Sequence, residues 1–74
     1  MVKLPDKNKK LPLSGREFDV LELVADGLTD RKIADRLGIR EHTVKTHLRR
    51  INAKLGATNR AHAVAIGLRK RHIR

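Results

Sequence analysis

From Ser14 onward apolar residues recur at helical spacing, and each run is bracketed by residues that start and stop helices. Ser14-Gly15-Arg16-Glu17 has the form of a capping box, with Ser14 as N-cap and Glu17 reaching back from the third helical position. Val20, Leu21, Val24, Ala25 and Leu28 then predict the buried side of a first helix, which Gly27 ends. Thr29 suits the N-cap of a second helix, and Asp30 suits its positive end. Ile33, Ala34 and Leu37 form its stripe before Gly38 stops it. A third helix is expected over about 41–55, because Val44, Leu48, Ile51 and Leu55 share one narrow stripe and Gly56 follows. Asn59 suits the N-cap of a fourth helix, on which Ala61, Val64, Ala65 and Leu68 make the apolar stripe and Ala63 and Ile66 flank it. No segment alternates as a strand would, so the expected fold class is all-α with four helices. The second and third helices join through Leu37-Gly38-Ile39, the layout of a helix-turn-helix.

Residues 1–13 hold both prolines and four lysines without a period, and read as a flexible basic arm. The expected organisation is that arm, one small domain over 14–70, and a basic C-terminal tail over 71–74.

Charge sharpens this picture. The formal net charge is +10, yet residues 1–41 nearly balance, with nine basic and eight acidic side chains. After Glu41 there is no carboxylate, while Lys45, Arg49, Arg50, Lys54, Arg60, Arg69, Lys70, Arg71 and Arg74 all follow. A one-signed field on helices asks for a polyanion, and nucleic acid is the first candidate. The lone aromatic, Phe18, is read as a packing residue and supplies no stacking platform for single strands, so duplex DNA is favoured.

Other chemistries lack their residues. There is no Cys, and His42, His47, His62 and His72 show no metal-ligand spacing. Paired inward carboxylates, a Ser-His-Asp set and a Gly-rich phosphate loop are missing, so neither an enzyme nor a cofactor is expected. No apolar run is long enough to span a membrane, and the lysine-rich N-terminus lacks the apolar stretch of a signal peptide. A cytoplasmic protein is the default.

On the third helix, the stripe Val44–Leu48–Ile51–Leu55 fixes the outward side by geometry. At about 100° per residue, His42, Lys45, Thr46, Arg49 and Ala53 point away from it, and Thr43, His47 and Lys54 lie along one flank. Lys and Arg can donate to guanine O6 and N7, Thr offers a hydroxyl and a methyl, and the flank suits phosphate oxygens. A solvated basic face is the alternative; the glycine turn before this helix and the lack of acids on its face favour a groove.

These residues also carry a resemblance. Leu13-Ser14-x-Arg16-Glu17-x-x-Val20-Leu21, Ala25-x-Gly27-Leu28-Thr29, Ile33-Ala34-x-x-Leu37-x-Ile39, Thr43-Val44-Lys45-x-His47, Ile51-x-x-Lys54-Leu55-Gly56 and Arg60-x-x-Ala63-Val64 together resemble the LuxR-type, or GerE-like, helix-turn-helix domain of bacterial transcription regulators. The resemblance covers about residues 13–68. It implies a four-helix domain that binds a two-fold-related duplex site as a homodimer, with the third helix in the major groove and a place on the bacterial nucleoid. It puts base reading on Lys45, Thr46 and Arg49. It puts backbone contacts on Thr29, Thr43, His47, Arg50 and Lys54, and a dimer contact on the fourth helix through Arg60, Ala61, Val64, Ala65 and Leu68, with Gly67 easing close approach. RNA polymerase is a further candidate partner.

Two positions depart from the family's pattern. Arg40 stands where Ser usually caps the third helix, and Lys32 stands where Glu usually completes a capping box from Thr29. Both exchange local helix stability for positive charge, and both join the candidate backbone contacts. Three rival readings remain. A sigma-factor region 4 also uses a Gly-Leu-Thr helix-turn-helix, but His47, the Ile51-x-x-Lys54-Leu55-Gly56 run and a fourth helix separate this chain from it. A basic amphipathic membrane-surface module and a protein-interaction module are rivals of a different class.

Overall fold

A computed structural model describes residues 13–69. It contains four helices, α1 (Gly15–Ala25), α2 (Asp30–Leu37), α3 (Glu41–Leu55) and α4 (Arg60–Arg69), and no strand among the described residues. The expected arm short of Leu13 and the expected tail lie outside those residues, as does Lys70.

The starts of the helices follow from their caps. At α1 the Ser14 hydroxyl accepts from the Glu17 N–H at 3.2 Å, and the Glu17 carboxylate accepts from the Ser14 N–H at 2.9 Å, completing the capping box. At α2 Thr29 Oγ1 accepts from the Lys32 N–H at 3.2 Å, but Lys32 returns nothing. At α3 the N-cap Arg40 makes no side-chain cap bond. At α4 Asn59 Oδ1 accepts from the His62 N–H at 2.8 Å. His62 Nδ1 in turn accepts from the Thr58 N–H, one residue before the Asn59 cap, at 3.1 Å, so the ring reaches back much as Glu17 does in α1 but one residue further.

The turn between α2 and α3 is set by Gly38, whose φ of 68° is left-handed. Nothing lies within 4 Å of where a Cβ would stand there, so glycine is required by backbone conformation and not by space. The Ile39 N–H reaches back to the Ala34 carbonyl at 3.0 Å and closes the turn.

The core is one cluster: Val20 and Leu21 from α1, Ile33 and Ala34 from α2, Val44, Leu48, Ile51 and Leu55 from α3, and Ala63 and Ile66 from α4. All four stripe residues of α3 are buried, each worth about 1.5–3 kcal/mol. That outweighs the roughly 1 kcal/mol forfeited at the uncapped Arg40, so α3 forms regardless. Val24, Ala25, Leu28 and Leu37 are partly buried at the rim, as is Phe18 against the core.

The fourth helix settles which of its two apolar sides meets the core. Its buried residues are Ala63, Ile66 and Gly67, while Ala61, Ala65 and Leu68 are exposed and Val64 is half-buried. The stripe expected to carry a dimer contact is thus left largely uncovered, the expected flank is the core contact, and Gly67, expected to ease the approach of a second helix, is buried in the core instead. Both sides of α4 are apolar, so periodicity could not choose between them; α1 and α3 take the side whose small Ala63 and Gly67 permit close packing.

Candidate nucleic-acid interface

The packing of α3 against the other helices leaves one side of it uncovered. Lys45, Arg49 and Arg50 are exposed there, together with His42 and Ala53, and Thr46 is half-exposed. Thr46, Arg49, Arg50 and Ala53 border a shallow open hollow of about 330 Å³, which exists because Ala53 has almost no side chain. Thr46 Oγ1 donates to the His42 carbonyl at 3.1 Å and accepts from Arg49 Nη2 at 3.4 Å. No acid follows Glu41 along this helix.

The flank holds Thr43 and His47, both half-buried. His47 Nδ1 is buried without a hydrogen-bond partner among the described residues. A buried nitrogen with no partner gains nothing from the fold, so Nε2 is the nitrogen left for an outside contact. Thr29, Lys32 and Arg40, the other candidate backbone contacts, are all exposed at the starts of α2 and α3. The backbone N–H groups at those helix starts add partial positive charge for an anion.

Two of the expected contact residues are also ion-paired within the domain. Lys54 Nζ lies 2.6 Å from Glu17 Oε1, with the carboxylate side chain only 4% exposed and the lysine 25%. The end of α3 passes the start of α1, and Lys54 joins the two helices. Burial alone would raise the Glu17 pKa, but the hydrogen bonds from Lys54 and Ser14 and the lysine charge outweigh it and hold the carboxyl below its ordinary value. Arg60, expected at the dimer contact, donates through both terminal nitrogens to Asp30 at 2.7 and 3.2 Å. It clamps the start of α4 to the start of α2 while its side chain stays 46% exposed. Neither pair was visible in the sequence, because each joins residues 30 or more positions apart. The Thr46 bonds could have been seen, since His42 and Arg49 lie four residues before it and three after it.

Among the described residues no helix is long and apolar enough to cross a membrane, and no three His, Cys, Asp or Glu side chains gather as metal ligands.

Comparison with known proteins places this arrangement among relatives. Residues 11–66 match the model of a family described as bacterial regulatory proteins, luxR family. The probable transcriptional regulatory protein SgaR of Hyphomicrobium methylovorum is 48% identical over 54 residues, 73% of this chain and 26% of SgaR. The uncharacterized transcriptional regulatory protein YxjL of Bacillus subtilis (strain 168) is 43% identical over 58 residues, 78% of this chain and 27% of YxjL. The chain thus spans about a quarter of the length of these curated relatives. Among solved structures, the response regulator ChrA of a heme-sensing two-component system superposes with a TM-score of 0.82 at 42% identity, over 86% of this chain and 32% of ChrA. The transcription factor GerE superposes with a TM-score of 0.80 at 31% identity, over 84% of this chain and 92% of that one.

Proposed function

The chain belongs to the luxR family of bacterial regulatory proteins, as the DNA-binding domain of a transcription regulator and not as an enzyme, and from that premise we propose that it binds a two-fold-related duplex site as a homodimer with α3 in the major groove. The observation that carries this reading is the uncovered side of α3, where Lys45, Thr46 and Arg49 stand together, with no acid after Glu41 on the helix, behind a glycine turn. Thr29, Lys32, Arg40, Thr43, His47 and Arg50 surround that face and suit phosphates on the groove wall. Lys54 is left out because Glu17 holds it. The exposed Ala61, Ala65 and Leu68, with Val64 beside them, suit the contact between two α4 helices, small residues allowing close approach and Leu68 supplying buried area. Residues 14–70 are read as the domain, acting on the nucleoid in the cytoplasm, with RNA polymerase as the further partner of a bound regulator.

The test is selection of bound duplexes from a random pool, followed by titration of Lys45→Ala and Arg49→Ala on the selected site. Each variant should lose specific affinity by about 1–3 kcal/mol and relax the preference at its own base pair. Wild-type binding by both variants, or a selected site without two-fold symmetry, would contradict the reading.

A further inference from the structure

The hydroxyl of Thr46 is already engaged. Its proton goes to the His42 carbonyl at 3.1 Å, and a lone pair takes Arg49 Nη2 at 3.4 Å. A threonine hydroxyl has one proton, so this one can donate nothing to a base. The bond to His42 also fixes the rotamer of a stiff β-branched side chain. Arg49 is exposed and carries several rotatable bonds; without a tether its guanidinium would sample many orientations in solvent. With the tether, one end of its planar fork is held against the helix. The hollow beside it, bordered by Arg50 and Ala53, leaves room for a base edge or sugar to approach.

We propose that Thr46 is a positioning residue: its hydroxyl holds the Arg49 guanidinium for bidentate recognition of a guanine, and what it offers a base directly is its methyl group. This rests on the placement of α3 in the major groove and adds a division of labour between two side chains that otherwise both count as base readers. A tethered fork is preorganised, so less freedom is lost when it meets guanine O6 and N7.

The two halves of threonine can be removed separately. Thr46→Val keeps the branched shape and removes the hydroxyl; Thr46→Ser keeps the hydroxyl and removes the methyl. Both, with Arg49→Ala, would be titrated by fluorescence anisotropy against the selected duplex and against duplexes changed at one base pair at a time. Circular dichroism would confirm that α3 is intact in each variant. Arg49→Ala should abolish the preference for guanine at one pair. Thr46→Val should reduce the same preference by roughly five- to tenfold, a fraction of what a good bidentate contact supplies. Thr46→Ser should restore it to within about twofold of wild type while weakening a thymine preference at a neighbouring pair. If Arg49→Ala loses the guanine preference but Thr46→Val retains it in full, the positioning role is wrong and the groove reading stands. The positioning role is equally wrong if Thr46→Ser loses as much as Thr46→Val. If Arg49→Ala leaves every base preference unchanged, the groove reading and the positioning role fail together.

Discussion

Glu17 shows how one residue serves two purposes that differ in how visible they are. Its place in the capping box is local, three residues from Ser14, and was legible in the sequence. Its bond to Lys54 spans 37 positions and exists only because α1 and α3 pack together. The buried carboxylate needs both partners, since an unpaired charge at that burial would be costly. Because its folded pKa is lowered, Glu17 contributes stability that is present above the ordinary carboxylate value of 4.5 and is lost as pH falls through the lowered value. Glu17→Gln keeps a capping oxygen and removes the charge. Urea unfolding at pH 7 should find it less stable than wild type by about 1–3 kcal/mol. The difference should shrink as pH falls below 4.5. An equal deficit at pH 7 and pH 3 would mean that the Lys54 pairing contributes nothing. Local spacing also hid a smaller case: His62 sits where its ring can cap the Thr58 N–H, a part usually given to Glu or Gln.

At the scale of elements, α2 and α3 were legible because their stripes are narrow and their ends carry glycine. The helix-turn-helix and the outward face of α3 followed from those stripes alone, before any relative was considered. The fourth helix was legible as a helix but not in its orientation. Alanine at 61, 63 and 65 gives it two apolar sides, and only the shape of the groove between α1 and α3 decides which is buried. That packing supports the proposed dimer, because Leu68, 50% exposed, stands on the solvent side with Ala61 and Ala65. Leu68→Glu should therefore leave the fold and thermal unfolding of the protomer close to wild type. It should also place like charges across the proposed contact and weaken binding to a two-half-site duplex by tenfold or more, with single-protomer complexes appearing in gel shifts and sedimentation. Wild-type occupancy of both half-sites by Leu68→Glu would rule out this face of α4 as the dimer contact.

Charge is unevenly spread over the described helices. Asp19, Glu22 and Asp26 fall on the side of α1 opposite its buried Val20 and Leu21, and so point away from α3. Two further acids, Glu17 and Asp30, are neutralised by Lys54 and Arg60. The charge excess counted along the sequence was thus a correct sign of a polyanionic partner but a poor map of the contacts. Two of its basic residues are ion-paired within the fold, while Lys45, Arg49 and Arg50 are exposed on α3 and Lys32 and Arg40 near the starts of α2 and α3. A field of this form orients the domain as it approaches DNA and makes binding salt-dependent, while sequence preference rests on base edges met by α3. Interference by guanine N7 methylation on the selected duplex measures that meeting directly, because N7 lies in the major groove. Methylation should block binding at guanines in two symmetric clusters, one per half-site, about one helical turn or a multiple of it apart, and Arg49→Ala should erase one guanine from each cluster. Binding that tolerates N7 methylation throughout the site would show that α3 does not read the major groove.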